Sequence, residues 1–218
     1  MDPTSLRATW LQQLRTHRAI AVIRADEAET ACQMAAAVAA GGMRLIEITW
    51  TTAQAAAVIR QLRTALPHCH IGTGTILTEA ALLEALEAQA QFAFSPHTDP
   101  ALIAAACRHN VPMVPGALSP SEIVAAWQAG AASVKVFPVQ SVGGAAYVQA
   151  LRGPLGHIAL VPTGGVTLQN APSLLRAGAV AVGLSTALFP KTALVTGDWE
   201  MIAQQAQRLL AVVQAAGK

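Results

Sequence analysis

Charge is scarce in this chain. Of 218 residues, 12% are Asp, Glu, Lys or Arg, about half the usual quarter for soluble domains. The net charge is +2 and Arg and Lys do not cluster, which argues against nucleic acid as a partner. Long apolar runs are also missing. No stretch of about 18 apolar residues escapes Gly, Pro or a polar interruption, so no membrane span is expected. The opening "MDPTSLRATWLQQLRTHR" has no apolar core and does not read as a secretory signal. Its Leu and Trp spacing predicts a short amphipathic helix instead. Cysteine is rare: Cys32, Cys69 and Cys107 are odd in number, far apart and never in a C-x-x-C pattern. That is the usage of reduced thiols in a cytoplasmic protein. The run His68-Cys69-His70 is the one dense group of soft ligands, but no further ligand is suggested nearby. It reads as a polar turn feeding a strand, and no metal is expected. Lysine is as rare as cysteine, with Lys135, Lys191 and Lys218.

What the chain does have is alternation. Short apolar runs at 19–24, 44–49, 69–74, 91–96, 111–116, 133–138, 158–163 and 179–184 are separated by Ala- and Leu-rich helical segments. Several of these segments end in glycine (Gly41-Gly42, Gly130, Gly178), the signal of a helix C-terminus. Asp26, Thr78 and Ser119 stand where helices begin. Apolar strands alternating with helices predict a parallel sheet. Eight such units fit an α/β fold of the closed (β/α)8 barrel type, with an extra N-terminal helix, formed by residues 1–218 as one domain. An open doubly wound sheet is disfavoured because no G-x-G-x-x-G follows the first strand.

One of the three lysines falls inside a strand, in "SVKVFP". Side chains alternate faces, so Val134 and Val136 belong on the helix-facing side, while Lys135 and Phe137 point into the barrel. The same reasoning in "RLIEIT" turns Leu45, Glu47 and Thr49 inward. Arg24, at the end of the first strand, shares the inward face with Ile20 and Val22. A structural ion pair of Glu47 with Lys135 or Arg24 is the plain reading of these charges. The chemical reading is stronger. Burial disfavours a charged amine, and a neutral lysine attacks a carbonyl to form a Schiff base. A carboxylate beside it moves the protons. After the seventh strand, Thr163-Gly164-Gly165 leads straight into a helix, and after the eighth, Ser185 and Thr186 offer a second short helix start. Consecutive loops of this kind make a phosphate cradle. The plain reading is that both glycines only make tight turns, but the two loops on consecutive units favour phosphate. Trp50, Phe137 and His97 are expected at the mouth, with His97 reading equally well as a solvated loop histidine.

The motifs "IEIT", "GTGTIL", "FSPH", "VPGALSPSE", "VKVFP" and "VPTGGV", in that order, resemble the 2-keto-3-deoxy-6-phosphogluconate (KDPG) aldolase family over about residues 15–190. That family includes enzymes that also act as 4-hydroxy-2-oxoglutarate (KHG) aldolase. The resemblance implies a class I aldolase on a (β/α)8 barrel, a homotrimer with neither metal nor other cofactor. It implies that Lys135 is the Schiff-base lysine and Glu47 the acid/base. Thr75 matches a residue near the pyruvate carboxylate. Gly164, Gly165, Ser185 and Thr186 match the phosphate loops, and Pro96 and Phe137 join the substrate-binding set. Some members carry an arginine shortly after the glutamate. The matching position here is Thr51, which leaves Arg24 to supply the cation.

The expected reaction is retro-aldol cleavage of KDPG, a small phosphorylated keto acid, to pyruvate and glyceraldehyde 3-phosphate. Its galactonate epimer and unphosphorylated KHG are the near alternatives. A sugar-phosphate isomerase, or a phosphate-binding barrel without catalysis, are the rivals from other classes.

Overall fold

The computed structural model describes residues 3–216. In chain order the first half comprises α1 (Pro3–His17), β1 (Ala19–Ile23), α2 (Ala28–Ala40), β2 (Leu45–Thr49), α3 (Ala55–Ala65), β3 (His70–Gly74), α4 (Glu79–Glu87), β4 (Ala93–Phe94), α5 (Pro100–Arg108) and β5 (Met113–Val114). There follow β6 (Gly116–Ala117), α6 (Pro120–Gln128), β7 (Val134–Val136), α7 (Ala145–Leu155), β8 (Leu160–Pro162), α8 (Ala171–Arg176), β9 (Val182–Leu184), α9 (Lys191–Thr196) and α10 (Trp199–Ala215).

All strand pairs are parallel. Six strands run in the order β5-β4-β3-β2-β1-β9 and three in the order β6-β7-β8. The run at 111–116 thus yields two strands where the sequence suggested one. Pro115 separates them, because proline has no N–H to give to a ladder. The chain nonetheless stays in contact with its neighbour across the break: Ala132 N–H donates to Met113 O and Lys135 N–H to Pro115 O, both at 2.9 Å. At the other edge, Val180 N–H donates to Leu160 O at 3.0 Å, and Thr163 forms an isolated parallel bridge with Gly183. The result is a curled parallel α/β sheet.

Alternation sorts the apolar side chains into two cores. Ile23, Ile46, Ile48, Val134 and Val136 pack outward beneath the helices. Ile20, Leu45, Phe92, Phe94 and Val161 fill the interior of the curl together with Trp10 and Leu14 of α1. The Trp10 ring lies 5.0 Å from that of Phe92, and its N–H donates to Ser133 Oγ at 3.0 Å. Phe92 and Ser133 both stand just before strands begin, so α1 closes that end of the interior.

Thr78 and Ser119 cap α4 and α6 through their hydroxyls, the latter in a capping box with Glu122. Asp26 does not cap. The second helix starts later, at Ala28, with Glu27 at the capping position and no side-chain hydrogen bond. Among the described residues, no helix is long and apolar enough to cross a membrane.

Candidate active site

The strand ends opposite α1 surround a cavity of about 190 Å³. Lys135 enters it from β7, where it pairs in register with Gly116 on one side and Val161 on the other. It is 6% exposed, and Glu47, on β2, is 1% exposed. Eight more positions expected from the sequence to bind substrate line the same cavity. Arg24, Thr75, Pro96 and Phe137 surround the two charged groups; Gly164, Gly165, Ser185 and Thr186 stand at the ends of β8 and β9.

The two glycines of "GTGT" explain how β3 accommodates its neighbours. In register, Glu47 lies beside Gly72 and Thr49 beside Gly74. Both glycines face inward. A Cβ on Gly72 would stand 2.3 Å from the Phe92 ring, and one on Gly74 would stand 1.7 Å from Glu47 Oε1. The Glu47 carboxylate therefore occupies the volume that a side chain at 74 would fill. Thr75 follows in the left-handed region at φ 59. A β-branched residue there is strained by about 1–3 kcal/mol. Its hydroxyl accepts from an Arg24 N–H at 3.5 Å.

Burial sets the electrostatics. It pushes the Glu47 carboxyl from 4.5 up to about 7, against the opposing pull of Lys135 and Arg24. Burial lowers the Lys135 pKa as well; Glu47 opposes that shift and Arg24 adds to it. Both groups are thus moved toward their neutral forms, the condition for a nucleophilic amine and a carboxyl that exchanges protons near pH 7. Among the described residues the one ion pair is Arg108 with Glu79, at 2.8 Å. Glu47 and Lys135 are close enough to feel each other's charge yet not paired, which leaves the space between them to a ligand.

The loops at the far side differ from expectation in their helical part. Gly164 and Gly165 have φ of 90 and 76, so both need glycine's access to the left-handed region. They do not lead straight into a helix. α8 begins only at Ala171 and spans 6 residues. Asn170 organises the intervening turn: its amide donates to Gly165 O at 2.9 Å, and its side-chain oxygen accepts from Thr167 N–H at 2.8 Å. After β9, Ser185 begins a single turn closed by Leu188 N–H donating to Ser185 O at 2.8 Å. Pro190 disfavours a helical conformation at Phe189, so a helix begun at Ser185 could not run past this one turn. Any anion held here relies on backbone N–H groups and hydroxyls, not on a long helix dipole.

Trp50 fails expectation and His97 takes its solvated alternative. Trp50 lies outside the cavity and lines a separate groove with Gln54 and Arg60. Its place one residue after inward Thr49 turns it to the other face. His97 is exposed and does not line the cavity; the chain turns outward after Ser95, whose hydroxyl donates to His97 O at 2.7 Å. Thr49 and Thr163 do line the cavity and were given no role from the sequence. Alternation from Glu47 and from Val161 was the signal available for them. Thr49 also shares hydroxyl contacts with Thr51 at 3.1 Å and Thr52 at 3.2 Å. Of the soft-ligand run, Cys69 is buried with its thiol against Met43 O at 3.6 Å, and His70 starts β3.

The chain is similar to known proteins along most of its length. A 2-dehydro-3-deoxy-phosphogluconate aldolase of Pseudomonas aeruginosa is 36% identical over 196 residues, covering 90% of this chain and 89% of that one. A KHG/KDPG aldolase of Escherichia coli is 34% identical over 194 residues, covering 89% and 91%. The crystal structure of a KDPG aldolase from Legionella pneumophila, with pyruvate captured as a covalent carbinolamine, superposes with a TM-score of 0.83 at 28% identity, over 95% of this chain and 97% of that one. A model of the aldolase family described as KDPG and KHG aldolase matches residues 11–205, and with an inward lysine and a buried carboxyl facing one cavity, this chain belongs to that family.

Proposed function

We propose that this protein is a class I aldolase that cleaves KDPG to pyruvate and glyceraldehyde 3-phosphate, and that it also accepts KHG, releasing pyruvate and glyoxylate. The observation that carries this reading is the pairing of Lys135 with Glu47 in one cavity, both nearly inaccessible to water and not bonded to each other. The lone pair of Lys135 Nζ attacks the C2 carbonyl carbon; the nitrogen gives up one proton and the carbonyl oxygen takes one, leaving a neutral carbinolamine. The carbinolamine then takes a second proton on that oxygen and loses water, leaving a cationic imine. Glu47, as carboxylate, removes the C4 hydroxyl proton. The C3–C4 bonding pair moves into the imine, the nitrogen becomes neutral, and the aldehyde departs. The protonated Glu47 then delivers its proton to C3 of the enamine. Hydrolysis of the resulting imine frees pyruvate and the lysine.

Arg24 and Thr75 hold the substrate carboxylate, with Pro96 and Phe137 as the apolar walls. Gly164, Gly165, Ser185 and Thr186 receive the phosphate. The two sheets are read as one closed (β/α)8 barrel, with β5 and β6 as a single interrupted strand and α1 as the additional N-terminal helix. Residues 1–218 then form one domain. A homotrimer follows from the family resemblance. The free thiols of Cys32, Cys69 and Cys107 fit a reducing cytoplasm. The test is steady-state pyruvate release from KDPG. Wild type turns the substrate over, while Lys135→Arg is inactive, because a guanidinium stays protonated. An active Lys135→Arg variant would overturn the assignment.

A further inference from the structure

Phe137 follows Lys135 by two residues, and alternation puts both on the inner face. The centre of its ring lies 4.6 Å from Lys135 Nζ. An aromatic face attracts a cation within about 6 Å. Two features hold the ring in place. The Phe137 backbone N–H donates to Ala117 O at 3.1 Å. Gly164 leaves room for the ring, since a Cβ there would stand 3.1 Å from Phe137 Cδ2. The charged groups facing Nζ are Glu47 and Arg24, of opposite sign. With Lys135 only 6% exposed, little water competes with the ring for the charge.

We propose that Phe137 is a catalytic residue whose ring face stabilises positive charge on Lys135 Nζ, favouring the cationic imine over the neutral carbinolamine before it and the neutral enamine after it. The proposal rests on the Schiff-base role proposed for Lys135. When the carbinolamine takes up a proton and loses water, the nitrogen gains a full positive charge, and its attraction to the ring grows with it. When the C3–C4 pair moves to the nitrogen, that charge disappears. The ring therefore assists imine formation and restrains the electron-sink step. In the free enzyme the same ring favours the ammonium form and partly counters the effect of burial.

The test replaces Phe137 site-specifically with phenylalanines bearing one, two and three ring fluorines. These keep nearly the same shape while the ring face loses negative potential. Labelling of Lys135 by an amine reagent, followed across pH by peptide mass, gives the lysine midpoint. Borohydride trapping with saturating pyruvate gives the imine population. The midpoint falls stepwise with fluorine number, reaching on the order of a tenfold loss of proton affinity in Phe137→Leu, and the trapped fraction at alkaline pH falls in the same order. A flat fluorine series, with a drop only in Phe137→Leu, would assign the ring to packing and overturn the proposal. If wild-type Lys135 is not trapped at all, the Schiff-base reading fails, and this proposal with it. Trapping with a flat series overturns the role of Phe137 alone.

Discussion

Replacing Glu47 with glutamine stabilises the fold at neutral and alkaline pH while disabling the chemistry. Glu47 is 1% exposed, and burial raises its carboxyl from 4.5 to about 7. An acid whose folded-state pKa is raised stabilises the fold fully below its unfolded value, and that contribution is lost as pH climbs toward the folded value. The loss here runs from about pH 4.5 to pH 7. At 1.36 kcal/mol per pH unit, a gap of about 2.5 units amounts to about 3 kcal/mol. Glutamine has a similar shape and does not titrate. That shift already includes the opposing pull of Lys135 and Arg24, so the gain at pH 8 is about 3 kcal/mol, or roughly 6–12 °C in Tm for a chain of this length. At pH 4.5 and below, much of the wild-type carboxyl is already protonated and the two proteins converge. Thermal unfolding of both, in matched buffers from pH 4 to pH 8, measures the difference directly. A difference in Tm that stays constant over that range would refute the assignment of a buried, titrating carboxylate to Glu47.

Other substitutions probe the surroundings of the site. In Gly74→Ala the new Cβ would meet Glu47 Oε1 at 1.7 Å, so the carboxyl is displaced. KDPG turnover falls by about 10²–10⁴-fold, the range for general acid–base catalysis, while pyruvate trapping on Lys135 persists; loss of trapping in a folded variant would contradict this. Asn170→Ala releases the Gly165 carbonyl and the turn before α8. It raises KM for the phosphorylated substrate several-fold, by the loss of about 1 kcal/mol of loop order, and leaves KM for KHG nearly unchanged. Gly165→Val is a poorer probe, since its Cβ would strike Gln140 Cβ at 2.5 Å. Trp10→Ala empties the closed end of the interior and lowers stability by about 3–5 kcal/mol, read as a lower Tm; an unchanged Tm would mean α1 does not close the core.

Much of the architecture could be read from the chain because buried strands carry their own period. In "SVKVF" the valines had to face the helices, and the inward lysine followed; "LIEIT" turned Glu47 inward by the same rule. What a single strand cannot disclose is its neighbour. Gly74 is legible as a glycine, but the carboxylate that fills its missing side chain comes from β2, and only register brings the two together. Strand limits were blurred too. β4 and β5 are only two residues long although interstrand bonds such as Ser95 N–H to Val114 O continue past their ends, and Pro115 interrupts a run that composition alone leaves whole. The loops were the least legible. Thr163-Gly164-Gly165 announces a turn, but the delay of α8 to Ala171 depends on the bonds that Asn170 makes. Trp50 stands one residue past inward Thr49, so alternation turns it away from the mouth.

The central claim is that Lys135 forms a covalent imine with pyruvate in a metal-free site. Incubation with pyruvate and borohydride, in the presence of a chelator, followed by peptide mass mapping, tests it most directly. The account predicts one reduced pyruvyl adduct on the peptide carrying Lys135, absent from Lys135→Arg. An adduct on Lys191 instead, or no adduct while KDPG is still cleaved, would contradict it.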